Sequence, residues 1–374
     1  MKEIIKNIFK NSRVRVFNFL CIILSLSIIS GTVIAMERSP LRILLLKPFH
    51  EQEFQIDQNG PAMPEIELEA RLNDRLEGAE YRFVIGNPET GHALEYEDAY
   101  DGYEHPAIID SGWLKSSKWT IPFGMEVFGG HVTHITVSVR KNRKIILTKV
   151  IKRDFYIVGS PVPQKQCFEY IDSLTHYSKN IRNMAKAISI QESHGHHFWT
   201  EGVYGEASHN GYPLKEINGG GYGLMQLTSK EFLSRETIWN WKKNIDVATS
   251  YIQKCYMAAV TYLDSHPEEI TDKMIKLEAY NRYNGGLSDR YHWWSDGQNP
   301  KVTRGWVKFS YIPVGKVNKG WRDYNNDGEI DPAGNPWNIP PRQESGTMIG
   351  GPNTIARRAA RYADKVFVLA QFIQ

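Results

Sequence analysis

Glu192 is the residue of this sequence best placed for acid–base chemistry. Apolar residues at helical spacing precede it, namely Ile181, Met184, Ala185 and Ile188. At about 100° per residue, the steps from Ile181 to Glu192 return the glutamate to within about 20° of the same helical direction. A carboxyl group held against an apolar face loses hydration of its charged form, so its pKa rises. A general acid in glycoside cleavage needs such a pKa, because it must keep its proton near neutral pH.

The same stripe also fits a plainer role for this glutamate. Ser193-His194-Gly195 reads as a helix end, where a carboxylate can turn outward as the helix frays. On the stripe alone we favour this second interpretation. The residues downstream change the balance.

A glycine-rich segment and a polar residue downstream fit a ligand site. Gly219-Gly220-Gly221 permits backbone conformations that other residues avoid and lets the chain approach a ligand closely. Thr228-Ser229-Lys230-Glu231 has the pattern of a capping box, which predicts a helix start just after Met225 and Gln226. From there the Gln226 amide can hydrogen-bond a sugar acetamido or hydroxyl group. Met225 either offers an adaptable apolar wall or belongs to the core.

Four short motifs follow one another along the second half of the chain. In order they are Ile188-Ser189-Ile190-Gln191-Glu192-Ser193, Gly223-Leu224-Met225-Gln226-Leu227-Thr228, Ala279-Tyr280-Asn281 and Tyr362-Ala363-Asp364-Lys365-Val366. They resemble, in the same order, the signatures of lytic transglycosylases and goose-type lysozymes. The resemblance covers about residues 168–374, with an insertion at 287–351. The stretch between Glu192 and Gly223 is longer than is usual in that family.

The resemblance implies a mainly α, lysozyme-like domain that cleaves the β-1,4 bond between N-acetylmuramic acid and N-acetylglucosamine in peptidoglycan. Glu192 would be the single catalytic carboxylate, acting first as acid and then as base, and no cofactor would be required. Ser193, Met225 and Gln226 would contact the substrate. The Tyr362 hydroxyl would point at the carboxyl of Glu192, whereas its place on an apolar stripe alone indicates a core tyrosine.

The third motif has two alignments in this sequence. Tyr280-Asn281 fits the alanine–tyrosine–asparagine form, and Tyr283-Asn284 is followed by the glycines Gly285-Gly286. Residues three apart are neighbours on a helix, so both pairs remain candidates for substrate binding.

Rival functions follow from the same residues. A hydrolytic muramidase that inverts the anomeric centre needs a second carboxylate about 6.5–9.5 Å from the acid, and Glu201, Glu206 and Glu216 are the candidates in the intervening segment. Two non-enzymatic alternatives are a glycan-binding protein and a structural protein of the cell envelope.

The insertion carries a calcium-site pattern. Oxygen donors alternate at Asp323, Asn325, Asp327, Glu329 and Asp331, and Gly328 occupies the sharp turn of an EF-hand-type loop. The twelfth position is Gly334 instead of a bidentate glutamate, so we expect a structural, weaker calcium site or a solvated acidic turn. A zinc site at His194, His196 and His197 is disfavoured, because their spacing matches no helical ligand pair. Five tryptophans of the same insertion would stack on sugar rings or build a small core.

The predicted secondary structure that positions these residues changes from strands to helices along the chain. Alternating apolar residues at 66–72, 81–85 and 135–139 predict half-buried strands. Beyond Gly159-Ser160-Pro161-Val162-Pro163 the apolar period becomes 3.6, with stripes at 181–188, 245–259 and 355–369.

We therefore expect an N-terminal all-β, sandwich-like domain at 63–158, which would bind glycan or act as a spacer. A linker at 159–166 and the catalytic domain at 167–374 follow it, with a lead-in at 36–62.

The N-terminus predicts export. Basic residues before an apolar run and Val33-Ile34-Ala35 form a secretory signal over residues 1–35. The alternative is an uncleaved membrane anchor. Either would place the protein in the periplasm, in the cell envelope or outside the cell.

Removal of residues 1–35 leaves 40 basic and 41 acidic residues, which gives no electrostatic support for nucleic-acid binding. Cys167 and Cys255 remain, and an oxidising compartment would permit their pairing.

Overall fold

A computed structural model describes residues 40–373, apart from 58, 202–204, 206–208, 217–219, 265–269, 286–290, 295–304, 309–342, 345–346 and 349–354. The described chain is of mixed α and β structure. The strands are β1 Ile43–Lys47, β2 Gln52–Ile56, β3 Glu67–Leu72, β4 Glu80–Ile85, β5 Ile109–Asp110, β6 Lys118–Thr120, β7 Gly130–Lys141, β8 Lys144–Gly159, β9 Tyr291–Trp294, β10 Gly305–Lys308, β11 Gln343–Glu344 and β12 Thr347–Met348. The helices are α1 Gln164–Ser173, α2 Lys179–Ser193, α3 Arg235–Trp239, α4 Trp241–Asp264, α5 Asp272–Gly285 and α6 Ile355–Phe372.

Residues 43–159 form two sheets, as the alternating pattern predicts. One has three strands in the order β1–β3–β6, and the other has five in the order β2–β8–β7–β4–β5. The apolar members of the alternation are buried, including Phe83, Ile135 and Val137 at 0% exposure. The β7–β8 hairpin turns through Asn142 and Arg143, both with positive φ, as a two-residue turn between twisted strands requires. The predicted strands are confirmed.

Helix α2 carries Glu192 in its last turn. The Ser178 side chain caps its start by accepting a hydrogen bond from the Ile181 backbone N–H at 3.3 Å. It ends at His194, whose left-handed backbone closes the last turn. The predicted apolar stripe faces the core, and α6 packs along both α2 and α5. The helix end predicted at residues 193–195 is confirmed.

One predicted helix start is wrong. Residues 228–231 form no helix; instead the Phe232 backbone N–H donates to the Ser229 carbonyl in a turn. The capping box lies further on, where the Ser234 and Thr237 side chains each accept from the other's backbone N–H. A serine or threonine caps a helix only where the residues after it adopt helical conformation. Here the helix begins at Arg235.

The β-rich and helical segments pack directly on each other. Tyr96 contacts the rings of Tyr212 and Trp239, and the Trp239 indole N–H donates to the Tyr103 hydroxyl at 3.0 Å. Gly129 lies so close to the Trp239 ring that a side chain has no room there. These segments share one compact unit, Leu45–Arg71 with Gly78–Gln374. Division into two domains remains a prediction.

The second unit combines Met1–Leu44 with Leu72–Glu77. In its described part, the Arg42 backbone N–H donates to the Asn73 side-chain oxygen at 2.7 Å, and the Asn73 N–H donates to the Arg42 carbonyl. The predicted signal segment, residues 1–35, lies outside the described residues. Within the described ranges, no helix has the length and apolar character needed to cross a membrane.

Cys167 in α1 and Cys255 in α4 are buried free thiols. Burial raises the pKa of each thiol to about 12. No disulfide joins them in the structure.

Candidate functional site

The Glu192 carboxyl sits in a half-buried position at the end of α2. Loss of hydration on burial raises its pKa to about 8, the Tyr362 hydroxyl opposes that rise, and the charge of Glu216 adds to it. A carboxyl with this pKa is mostly protonated at pH 7 and still able to lose its proton. Glu192 can thus donate and later accept a proton at neutral pH.

Tyr362 approaches this carboxyl from α6. Its side chain is buried, and no other described group pairs with its hydroxyl. Burial, and after it the charge of Glu192, raises the pKa of Tyr362 well above the ordinary value. The hydroxyl therefore remains a neutral donor beside the carboxyl.

Tyr283, on the last turn of α5, is the second phenol at Glu192. Its hydroxyl donates to the Met225 carbonyl oxygen at 2.7 Å. Burial, followed by the charge of Glu192, raises the pKa of Tyr283 well above the ordinary value. Tyr283 therefore lies within electrostatic range of Glu192 and is hydrogen-bonded to the segment that carries Met225 and Gln226.

The structure separates the two alignments of the third motif. Tyr280 is fully buried, and its pKa is raised by burial and then by Asp272, the first residue of α5. Tyr280 acts electrostatically on Tyr362, whereas the Tyr283 hydroxyl is hydrogen-bonded to the Met225 carbonyl. Asn281 is buried and Asn284 is exposed.

Residues 223–226 form a turn tied to α2 and α4. The Ser193 hydroxyl donates to the Leu224 carbonyl oxygen at 2.7 Å, and the Met225 backbone N–H donates to the Asn244 side-chain oxygen at 2.9 Å. Gly223 has a φ of +72°, and a Cβ there would lie 2.5 Å from the His197 ring. Only glycine therefore fits the start of this turn.

Gln226 has an unusual backbone conformation and a buried side-chain amide. Its φ is +46°, a strained value for a residue with a side chain. Its amide nitrogen donates to the Gly223 carbonyl at 2.7 Å, while its side-chain oxygen is buried and has no partner among the described residues. A buried acceptor without a donor costs free energy.

His197 and Asn244 support the site, and the sequence alone did not identify either role. The His197 Nδ1 accepts from the Leu224 backbone N–H at 3.0 Å, so its Nε2 bears the proton and donates to the Ile238 carbonyl at 3.0 Å. Burial lowers the pKa of His197 to about 3, which the bond to Ile238 partly opposes. Asn244 also donates to the carbonyls of Tyr222 and Thr237. The sequence signal that could have pointed to Asn244 is its place as a polar residue directly before the apolar stripe that begins at Ile245.

Among the residues the structure describes, no group of three or more His, Cys, Asp or Glu side chains is arranged to hold a metal ion. The calcium pattern at Asp323, Asn325, Asp327, Glu329 and Asp331 lies outside those residues, and so does Glu206. Of the two candidate second carboxylates that the structure describes, Glu201 and Glu216, it is Glu216 whose charge acts on Glu192.

Comparisons with known proteins gave no match. No protein-family model matches the chain. No curated protein and no solved structure matches it significantly.

Proposed function

We propose that this protein is a lytic transglycosylase that cleaves the β-1,4 bond between N-acetylmuramic acid and N-acetylglucosamine in peptidoglycan. The observation that carries the proposal is the pKa of Glu192, which burial raises to about 8 beside two neutral phenols. The four sequence motifs supply the substrate class, because they resemble those of this family.

One carboxyl group performs both steps of the proposed reaction. Glu192 protonates the bridging oxygen as the bond from that oxygen to the muramic acid C1 breaks, and the substrate's acetamido group stabilises the cationic carbon. The Glu192 carboxylate then takes the proton of the C6 hydroxyl, and O6 bonds to C1 to close a 1,6-anhydro ring. No water is consumed, and the carboxyl ends in its starting state.

The surrounding residues have matching roles in this proposal. Tyr362 stays protonated, so its hydroxyl can donate to the Glu192 carboxylate when it forms, and Tyr283 stays neutral and adds no charge to the site. The unpartnered oxygen of Gln226 would accept from a substrate acetamido N–H or hydroxyl. Ser193 and Met225 would contribute to substrate binding by holding the turn at Leu224 in place.

The proposal also covers the domain arrangement, the location and the metal content of the enzyme. A sandwich-like β domain at 63–158 would precede a lysozyme-like domain at 167–374. The N-terminal segment would direct export to the periplasm or cell envelope, with or without anchoring in the membrane. A structural calcium ion in the 323–331 loop would stabilise the insertion.

Hydrolysis is the second candidate function, and Glu216 favours it. Its charge acts on Glu192, and its side chain is exposed. A carboxylate near the acid and open to solvent can activate a water molecule, as in inverting glycosidases. The product would then carry a free reducing end.

Digestion of peptidoglycan by the purified protein, followed by mass analysis of the soluble fragments, tests the proposal. We expect muropeptides with an anhydro end, one water lighter than the hydrolysed form. Fragments with free reducing ends would reject the lyase and support the Glu216 hydrolase.

Glu192→Gln tests the assignment of the acid. It should lower the rate of fragment release at least 100-fold, whereas Glu201→Gln, at an exposed position, should leave the rate unchanged. Digestion that persists in Glu192→Gln would remove Glu192 from the mechanism. Binding of peptidoglycan without digestion by the unaltered protein would instead support a glycan-binding protein.

A further inference from the structure

Tyr222 forms the base of the turn that carries Gln226. Its backbone N–H donates to the Leu227 carbonyl at 3.0 Å, and the Leu227 N–H donates back to the Tyr222 carbonyl at 3.2 Å. Residues 223–226 lie between these two bonds. The Tyr222 carbonyl also accepts from the Asn244 amide at 3.2 Å. The position of Tyr222 therefore determines where the turn starts and ends.

The Tyr222 side chain leaves this turn and reaches the β-rich segment. Its hydroxyl donates to the Asp98 carbonyl oxygen at 2.7 Å, and the residue as a whole is only 1% exposed. Burial, and after it the charge of Asp98, raises the pKa of Tyr222 to about 12. The hydroxyl thus keeps its proton and remains a donor. A direct hydrogen bond therefore joins a loop of the β-rich segment to the turn of the candidate site.

The acceptor lies in a loop that is itself anchored, residues 95–103, which we call the tyrosine loop. At its start, the backbone N–H groups of Glu95 and His131 donate to each other's carbonyls at 2.9 Å and 2.8 Å. Further along, the Tyr100 hydroxyl donates to the Leu233 carbonyl at 3.0 Å, and the Tyr100 ring lies 6.2 Å from the Tyr222 ring. The loop is therefore held on both sides and offers Tyr222 a fixed acceptor.

Gln226 needs such support, because its backbone is strained. Its φ is +46°, and a residue with a side chain keeps a left-handed conformation only where the surrounding structure holds it there. Its side-chain oxygen lies against Gly221, where an added Cβ would be only 2.9 Å away. Gly221 directly precedes Tyr222, so a shift of Tyr222 would move the backbone against which the Gln226 side chain packs.

We propose that Tyr222 is a positioning residue for substrate binding, and that the tyrosine loop sets the position of Gln226 through it. The inference rests on the function proposed above, in which Gln226 binds a substrate acetamido or hydroxyl group. It gives the β-rich segment a part in the site, beyond the role of a spacer. Glu192 is carried by α2, outside this turn, so substrate binding should depend on Tyr222 more than proton transfer does.

Kinetics on soluble glycan strands test this role. Tyr222→Phe removes the hydroxyl alone. It should raise KM about tenfold, the loss expected for one hydrogen bond, and change kcat less than about twofold. Tyr170→Phe is the matched control, because the Tyr170 hydroxyl also joins two segments, donating to Asp246 at 2.8 Å, and it should leave both constants unchanged. An unchanged KM in Tyr222→Phe, an equal rise in the control, or a fall in kcat alone would overturn the proposal.

Hydrogen exchange in the full-length protein gives a readout that needs no activity. The backbone N–H of Leu227 is bonded to Tyr222, and that of Met225 to Asn244. Tyr222→Phe should speed exchange in residues 222–227 about tenfold, whereas Tyr170→Phe should not. Unchanged exchange in Tyr222→Phe would overturn the positioning role. If the unaltered protein digests no peptidoglycan, the proposed function fails, and exchange still decides whether Tyr222 positions the turn.

Two further variants separate the lost hydrogen bond from a general loss of packing. Tyr222→para-aminophenylalanine keeps a donor at the end of the ring and should restore both KM and exchange; a KM that stays raised would overturn the proposal. If Tyr222→Phe does not fold, as judged by circular dichroism, Gly221→Ala replaces it, because the added Cβ displaces the Gln226 side chain directly. Gly221→Ala should raise KM at constant kcat, and an unchanged KM would likewise reject the role.

Discussion

The Ser193 hydroxyl donates to the Leu224 carbonyl oxygen at 2.7 Å, joining the residue after Glu192 to the residue before Met225. The same hydroxyl lies 3.0 Å from the Ser189 carbonyl one turn earlier in α2. Ser193 is only 2% exposed, so these bonds are shielded from solvent. The geometry of the candidate site therefore depends on this side chain.

Ser193→Ala should destabilise the protein by about 1–3 kcal/mol, because the Leu224 carbonyl is left buried and unpaired. Thermal or denaturant unfolding measures the change. Ser173→Ala is the matched control. Ser173 likewise ends a helix and donates to a backbone carbonyl, but it is exposed, so its removal should cost little. Equal effects of the two variants would refute a special role for the buried bond.

Activity should fall as the pH rises through the pKa of Glu192. The acid step needs the protonated carboxyl, so kcat/KM should be high below pH 8 and decline above an apparent pKa of about 8. Glu216→Gln removes a negative charge that raises this pKa, and the decline should move to lower pH. Glu201→Gln should leave the profile in place. A shift of the decline to higher pH in Glu216→Gln would contradict the assigned electrostatics.

Glu192 should also make the fold less stable as the pH rises. The pKa of its carboxyl is about 8 in the folded protein against a reference value of 4.5, so between these pH values only the folded state holds the proton. The free energy of unfolding then falls with rising pH. Glu192→Gln removes this dependence, so its effect on stability should be more favourable at pH 8 than at pH 4.5 by about 4 kcal/mol. Denaturant unfolding of both proteins at the two pH values gives the comparison, and a constant difference would argue against a raised pKa of Glu192 in the folded protein.

The sequence predicted the local parts of this structure better than the site that they build. The stripe ending at Glu192 and the alternation in β7 became a helix and a strand, because burial follows periodicity. The choice between Tyr280 and Tyr283 depended on which way each side chain leans in the packed helices, which spacing alone does not determine. The support from His197 and Asn244 also stayed hidden, because it consists of bonds to backbone groups brought close only by folding.

His197 should make the protein sensitive to acid. The pKa of its ring is about 3 in the folded protein, against a reference value of 6.5. Between these pH values the unfolded state binds a proton that the folded state does not bind. This contribution to stability is complete above pH 6.5 and is lost by about 1.4 kcal/mol per pH unit as the pH falls toward 3.

His197→Gln tests this, because glutamine has no titrating group. The variant should be less stable than the unaltered protein at pH 8, since the bonds to Leu224 and Ile238 are disturbed, and the difference should shrink between pH 6.5 and pH 4. Glu192 is present in both proteins, so its opposite pH dependence cancels. The exposed His50, changed to Gln, serves as the control and should leave the profile unchanged. Parallel profiles for His197→Gln and the unaltered protein would show that the ring takes up its proton in the folded state, and the bond from the Leu224 N–H to a neutral Nδ1 would have to be abandoned.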